Sequence, residues 1–553
     1  MTTNNFNAPL YKMLKNYADE KNRFHMPAHS GVQIDKLKNS SWKFSTLEND
    51  NSQSNSMANS NPKNGSSSND NSPNNSLANN LRTFNDEYSL YASAPFDITE
   101  LSFSDNLNCP NGVIACAENL MADAYGVKKS LFFTAGATSA IFTALGAIRT
   151  RTDSIAIDLL SHKSVFSACH FFGFEITLIR REFDDADLPL PLCADKILET
   201  LSRDSKIGAV VITSPDYFGN ALEVEEIAKV TRSKNSLLLV DEAHGSHFAF
   251  SSLLPPSACR YADLTVDSLH KTMPVFTGGA VLNINCDLST QCALYRANLH
   301  TSSPSYVTMG SLDYARELYQ NEGEKIYAEL KKAIDTLMLE NLKYSYKNAE
   351  SPMHDFSRLV INVDAEKLEK KNIYPEMKWG EWCVFICTPF NMNRLPALSK
   401  ALSELVPTTV IDDNNSKLKI TTIDDQSKLL IVDFDNNSEY RNIDFVDKTN
   451  LQPNDSNRNS KCISNENNSL NTLEFPSTLS PLCKNSKTEF VELKNSLNRV
   501  SAIEVGCYPP GSPILFAGER ITAEKLNFLM RRENSIFNLV TGKICVIIEN
   551  VID

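Results

Sequence analysis

Residues 236–245 read Ser-Leu-Leu-Leu-Val-Asp-Glu-Ala-His-Gly, an apolar run that stops abruptly at two carboxylates and a histidine. Ser236–Val240 has the length and composition of a buried strand, so Asp241-Glu242-Ala243-His244-Gly245 falls at its carboxyl end. Two chemistries place acids there. In the Asp-Glu-Ala-His box of helicases the acids serve Mg²⁺ and water, but that use requires a phosphate loop of the form G-x-x-x-x-G-K-[ST], and the chain has none. The other is a carboxylate poised to pair with a cationic group of a cofactor, and that is the reading left for Asp241.

Working outward, similar short β-rich runs occur at Ser130–Phe133, Ser154–Leu160, Ala209–Thr213 and Leu264–Val266, separated by helical-period stretches such as Ile114–Ala124, Ala140–Arg149 and Val224–Arg232. Strands alternating with helices predict βαβ units and an α/β fold with a mostly parallel sheet. In such sheets ligands sit beyond the carboxyl ends of the strands. After about residue 320 the pattern changes to a long helix, Leu318–Leu339, and then to mixed strands and helices, which predicts a second, smaller α+β domain.

The other strand ends carry matching chemistry. After Leu131–Thr134 comes Ala135-Gly136-Ala137-Thr138-Ser139 and then a helix. A small-residue turn opening a helix offers backbone N–H groups at the positive dipole end, a ready phosphate site to which Thr138 and Ser139 would add hydroxyls. Taken alone, such turns more often start helices for purely structural reasons. His162, at the exit of Ser154–Leu160, is by itself more often a loop residue than a ligand. The turn Ser214-Pro215-Asp216-Tyr217-Phe218-Gly219 brings one aromatic that would face the cleft. Beyond Leu264–Asp267 lies Ser268-Leu269-His270-Lys271-Thr272. A random loop lysine is usually a solvated charge. A desolvated one beside cations has a lowered pKa and becomes an amine nucleophile able to form a Schiff base. A phosphate cradle, a strand-end Asp and a turn Lys, in that order on a parallel sheet, are the parts that pyridoxal phosphate needs: Lys271 for the aldehyde, Asp241 for the pyridinium nitrogen, and the helix start at Gly136 for the phosphate.

Bulk composition agrees. The 553 residues carry a net charge of −13, which argues against a nucleic-acid protein and against one held at an anionic membrane surface. No run of 18 apolar residues and no N-terminal apolar core are present, so neither a membrane span nor a secretory signal is expected. Thirteen dispersed cysteines without a Cys-x-x-Cys pair read as reduced thiols of a cytoplasmic enzyme. In residues 51–80, twenty of thirty are Asn or Ser, and in 454–471 eleven of eighteen are. Such stretches cannot bury enough apolar surface to offset chain entropy, which predicts disordered insertions. The expected organisation is an N-terminal segment 1–38, an Asn/Ser-rich insertion 39–90, a large domain 91–320 and a small domain 321–553 interrupted at about 435–473.

These segments, together with PLYKMLKNYADEKNRFHMPAHSG (9–31), DITELSFSDNLNCPNGVI (97–114), FFTAGATSA (132–140), DSLHKTMPVFTGGAVL (267–282), TSSPSYVTMGSLDYAR (301–316) and CYPPGSPILFAGE (507–519), occur in the order of a known family. The chain resembles the ornithine/lysine/arginine decarboxylases, fold-type I pyridoxal-phosphate enzymes, in their short form without an N-terminal wing domain. The resemblance implies a fold-type I large domain and a smaller C-terminal domain. It implies Lys271 as the Schiff-base lysine, Asp241 as the partner of the pyridine nitrogen, His162 stacked on the ring and His244 near its phenolic oxygen. Gly136, Ala137, Thr138, Ser268 and His270 would bind phosphate. The Thr301–Tyr306 segment, with Ser302 and Ser303, resembles one that reaches the neighbouring subunit's phosphate, which implies a homodimer with shared sites, or a higher oligomer built from it. The implied reaction is loss of CO₂ from a basic amino acid to give an amine such as cadaverine, agmatine or putrescine. The chain departs from the family pattern at Ala28 and Ser30, at Ser512, and at Ala517. Alternatives are another fold-type I activity, such as an aminotransferase, a lyase or an acyl-CoA condensing enzyme, and a catalytically silent regulatory homologue. Glu100, Asp105, Glu376 and Glu519 are acids that would grip a distal amine or guanidinium; the sequence does not rank them and does not say which basic amino acid is used.

Overall fold

The computed structural model describes residues 104–184, 187–347, 351–405, 428–434, 440–447, 470, 473–479, 487–507, 511–531 and 536–548. The expectations for 1–38, for the insertion 39–90, for the Phe24–Ser30 motif and for Glu100 lie outside these residues. So does the Asn/Ser-rich stretch 454–471, except residue 470.

The centre is an eight-stranded sheet. Seven strands follow chain order: β1 (Lys129–Phe133), β2 (Ser154–Asp158), β3 (Glu175–Ile179), β4 (Ala209–Thr213), β5 (Leu237–Asp241), β6 (Leu264–Asp267) and β7 (Ala280–Ile284). Their spatial order is β1-β7-β6-β5-β4-β2-β3, and a short strand, Thr478–Leu479, pairs with the β3 edge. The run from β6 to β3 is parallel, while β7 is antiparallel to both β1 and β6. The expected α/β architecture with a mostly parallel sheet is therefore present.

Helices α1 (Val113–Tyr125), α2 (Gly136–Arg149), α3 (Lys163–Phe172), α4 (Ala194–Arg203), α5 (Val224–Ser233), α6 (Leu269–Thr272) and α7 (Ser289–Leu299) connect the strands. Ile141, Ala144 and Ile148 of α2 and Phe166 of α3 share a core with Leu131, Ile157, Val211, Leu239 and Val266. Ile197 and Leu201 of α4 and Ile227 of α5 pack with Ala156, Val210, Ile212, Leu238 and Val240. Alternate residues of β4 and β5 thus serve opposite cores, which is why these strands read as continuous apolar runs. Each such buried Leu, Ile or Val contributes about 1.5–3 kcal/mol relative to exposure.

Helix α8 runs from Tyr306 to Glu340, beginning twelve residues before the predicted Leu318. Ser305 caps it, its hydroxyl accepting from Thr308 N at 3.2 Å. Thr308, Gly310 and Ser311 in the first turns weaken the apolar period there, so the sequence pattern starts late. The expected domain border at 320/321 accordingly falls inside this helix. Beyond it, β8 (Arg358–Asn362), β9 (Met377–Trp379) and β10 (Trp382–Ile386) form an antiparallel sheet in the order β8-β10-β9. Strands Lys428–Phe434 and Tyr440–Asp447 pair as an antiparallel ribbon. The disordered insertion expected over about 435–473 was thus drawn too wide. Its first part, Tyr-Arg-Asn-Ile-Asp-Phe-Val-Asp, has the β-branched and aromatic content of a strand, and the Asn/Ser enrichment begins only later. Two three-stranded antiparallel sheets lie in the C-terminal region, one of Thr488–Glu492, Lys543–Ile547 and Val500–Ser501, the other of Pro513–Leu515, Val505–Cys507 and Ile536–Phe537. Among the described residues, no helix is long and apolar enough to cross a membrane.

Candidate active site

The strands β2, β4, β5 and β6 all end at one cavity of about 230 Å³, as the topology of an open parallel sheet requires. Gly136, Ala137, Thr138, His162, Asp241, His244, Ser268, His270 and Lys271 line it. Residues scattered over 136 positions of sequence are brought together because each follows a strand that points the same way.

Asp241 is the last residue of β5 and shares the face of Leu239 that packs towards α2. It is buried. Burial pushes its carboxyl up from the ordinary range, and the nearby Lys271 side chain and the Ala243 N–H, 3.2 Å from Oδ1, pull it back. Lys271 lies in the one-turn helix α6, and its Nζ is 3.0 Å from His244 Nε2. Burial lowers its pKa, as does Arg358, while Asp241 and Glu376 oppose the shift. The His244 ring packs on Tyr217, centroid to centroid 4.6 Å, and burial with the neighbouring cations Lys271 and Arg358 drives its pKa well down. His162 caps α3, its Nδ1 accepting from Ser164 N at 3.2 Å. Burial, then Lys271 and Lys163, push it down to about 3, so it presents a neutral, flat face to the cavity.

On the expected phosphate side, Gly136, Ala137, Thr138, Ser268 and His270 line the cavity. Gly136 opens α2 with φ +83°, a backbone conformation that glycine adopts without strain, and its N–H donates to Gly278 O at 2.8 Å. Ser139 does not add a donor, because its hydroxyl turns back to Gly136 O at 2.8 Å. Ser268 and His270 lie against each other, Oγ to Nδ1 3.3 Å. Ser302 and Ser303 do not line this cavity; they are exposed, and Ser303 N donates to Thr301 Oγ1 at 3.1 Å.

Other wall residues were missed or only half seen. Thr213, the last residue of β4, lines the cavity with a buried hydroxyl that has no protein partner among the described residues. Its position as the last residue of the run Ala209–Thr213 was the available signal. Tyr217, flagged as an aromatic of the turn, does face the cavity, and its hydroxyl donates to Glu376 Oε1 at 2.6 Å. Trp379 comes from a distant segment that no local pattern marks, and Ser512 from the 507–519 segment, whose departure at that position did not announce a place in the wall. Ser512 Oγ donates to Leu160 O at 2.8 Å and Lys163 N to Gly511 O at 2.9 Å, so the late segment clamps the His162 loop.

The four unranked acids also separate. Asp105 accepts from the N–H groups of Asn106, Asn111, Gly112 and Ile114; burial pushes its carboxyl up, but these backbone donors win and hold it at about 2. Glu519 is committed to Lys525 and to Phe516 N. Glu376 alone of the described three is joined to a cavity-lining side chain.

Behind the site, Glu242 and Asp267 point away from the cavity into a buried cluster. Glu242 accepts from Ala258 N at 2.7 Å and Ser257 Oγ at 2.8 Å, and Asp267 from Asn283 Nδ2 at 2.9 Å. The Cys259 thiol lies 3.8 Å from Glu242 Oε2 and 3.7 Å from Asp267 Oδ2. Asn283, the penultimate residue of β7, belongs here; a residue disfavoured in strands interrupts that short apolar run in the sequence.

The cavity's donor set fits pyridoxal phosphate. It offers an amine of lowered pKa, a buried carboxylate for a protonated ring nitrogen, an unpartnered wall hydroxyl, and a helix start flanked by Thr138, Ser268 and His270 for the phosphate.

Comparison with known proteins agrees. Residues 81–383 match the major domain of the Orn/Lys/Arg decarboxylases and residues 475–537 their C-terminal domain. The uncharacterized protein YaaO of Bacillus subtilis (strain 168) is 30% identical over 474 residues, covering 81% of this chain and 88% of that one. The arginine decarboxylase of the same organism is 26% identical, covering 79% and 84%. Among solved structures, lysine decarboxylase A from Pseudomonas aeruginosa superposes with a TM-score of 0.61 at 15% identity, over 79% of this chain and 69% of that one, a likeness of fold. By its sequence match across the major domain, and with the fold that match requires, the chain belongs to the Orn/Lys/Arg decarboxylase family and is a decarboxylase enzyme.

Proposed function

We propose that the chain decarboxylates a basic amino acid, arginine, lysine or ornithine, with pyridoxal phosphate, to the amine that feeds polyamine synthesis. The observation that carries this reading is the shared cavity of Lys271 and Asp241, one amine and one carboxylate from successive strand ends. When bound, pyridoxal phosphate supplies the electron sink for the pair left on Cα as the carboxylate departs as CO₂.

The chain's own residues do the rest. Lys271 would hold the cofactor through its aldehyde, and its Nζ, 3.0 Å from His244 Nε2, is placed to return a proton to Cα. Asp241 holds a proton at the ring nitrogen, which a buried carboxylate does best where water cannot compete. His162, neutral, covers one ring face and excludes water from it. Ala137, Thr138, Ser268 and His270 would orient the phosphate, and Gly136, its N–H bonded to Gly278 O, would shape the turn. Glu376, through its bond to Tyr217, lies on the side of the cavity where a distal cation is received. Ser302 and Ser303, exposed and away from their own cavity, support a homodimer in which this segment serves the neighbouring subunit's phosphate. The eleven described cysteines are free thiols, which supports a cytoplasmic enzyme.

The test is a panel of arginine, lysine and ornithine with the holoenzyme, measuring CO₂ and amine. Stoichiometric CO₂ with one of them is expected. Keto-acid formation without CO₂ overturns the reading in favour of an aminotransferase, and failure to take up pyridoxal phosphate overturns it in favour of a silent homologue.

A further inference from the structure

His244 stands between two basic side chains, one at each ring nitrogen. Nε2 is 3.0 Å from Lys271 Nζ, and Nδ1 is 3.2 Å from Arg358 Nη2, which also reaches the His244 carbonyl oxygen at 3.4 Å. Arg358 opens β8, 114 residues away in sequence, and is 1% exposed. Its stem passes Gly219, where a Cβ would stand 2.6 Å from Arg358 Cβ; Gly219 also has φ +94°, so both space and backbone demand glycine there.

The proton inventory of these three groups allows one arrangement. A guanidinium only donates and does not deprotonate in proteins, so Nδ1 of His244 must accept. A neutral imidazole carries one proton, which is then on Nε2. Nε2–H can only donate, so the atom 3.0 Å away must accept, and an ammonium cannot. Lys271 is therefore held as the free amine.

We propose that Arg358 is a positioning residue that fixes the Nε2–H tautomer of His244 and, through it, keeps Lys271 in its unprotonated, nucleophilic form. The inference rests on Lys271 being the reactive amine of the site. Charged and titratable groups facing the pair are Asp241 from β5, Tyr217 in the turn after β4, Glu376 before β9, His162 before α3 and His270 in α6. Asp241 and Glu376 favour the ammonium form, so the arginine relay works against them. The direction of the Lys271 shift, down with burial first and Arg358 contributing, agrees.

The experiment uses the full chain freed of cofactor. In the unmutated protein, ¹⁵N spectra of labelled histidine report the His244 tautomer, assigned with His244→Gln; a protonated Nε2 and bare Nδ1 are expected, and a protonated Nδ1 overturns the proposal without any change to Arg358. The pH midpoint for condensation of added pyridoxal 5′-phosphate with Lys271 is then read by its visible band and by borohydride trapping. Arg358→Met is expected to raise that midpoint by a unit or more, about a tenfold loss of free amine at a fixed pH below it. Arg358→Lys, which keeps a donor, restores part of the shift. Thermal melts confirm that both variants are folded. An unchanged midpoint in Arg358→Met overturns the relay while leaving the site reading intact, whereas no trapping at Lys271 even in the unmutated chain overturns the site reading itself.

Discussion

The carboxyl ends of β5 and β6 carry two clusters set back to back, built from neighbouring residues of the same strands. Asp241 and, four residues beyond Asp267, Lys271 face the cavity; Glu242 and Asp267 face the opposite side of the sheet. All are withdrawn from water, yet their electrostatics differ. In front, a lysine opposes the effect of burial on Asp241. Behind, neutral donors (Ser257, the Ala258 N–H, Cys259 and Asn283) hold two carboxyls. Burial and then Asp267 drive Glu242 far up, while burial, with Asp241 contributing, pushes Asp267 up to about 7. A buried acid facing a base stays poised to hold charge, whereas two acids facing each other must share a proton. One strand end is thus chemical and its back is structural, although sequence alone presents both as acids of one short motif.

Four measurements would break or sharpen this contrast. The largest effect belongs to Lys271→Ala, which should abolish the visible cofactor band and lower CO₂ release by about a thousandfold or more; a persisting band removes Lys271 from its role. Asp241→Asn comes next. It keeps the shape but cannot hold the ring proton, and kcat should drop by about a hundredfold with cofactor still bound.

Asp267→Asn should act on stability and not on kcat. In the folded chain Asp267 keeps its proton up to about pH 7, whereas unfolded it ionises near 3.8. Stability from this group is present below that lower value and is lost as pH rises to about 7. The variant should therefore be more stable than the parent at pH 8, by about 1–3 kcal/mol, and little different at pH 4. Denaturant midpoints at both pH values give the answer, and a gain of equal size at pH 4 contradicts proton sharing. Smallest of all, Cys259→Ala should cost about 1 kcal/mol at either pH, the loss of a weak donor and a little packing, again with kcat unchanged.

The contrast also marks what could be read beforehand. β4 was legible to the residue because Ala209–Thr213 is a pure buried β run bounded by turn signals. Asp241, Lys271 and the helix start at Gly136 were legible because each immediately follows such a run, so one-dimensional order maps onto the cavity rim. The antiparallel β7 was not, since its Asn283 answers to Ser130 and Asp267 on other strands. Arg358, Trp379 and Ser512 reach the site through tertiary packing across more than a hundred residues, a relation no local period encodes. Nor does sequence say that Ser139 spends its hydroxyl on its own helix.

The clamp between Gly511–Ser512 and the His162 loop has a consequence for how the protein is made. The cavity wall is closed by a segment some 350 residues downstream of the loop it holds. A ribosome that has finished the whole central sheet has still not synthesised the piece that completes the pocket. A polypeptide cut short before that point therefore carries Lys271 and Asp241 but lacks the segment that holds the His162 loop.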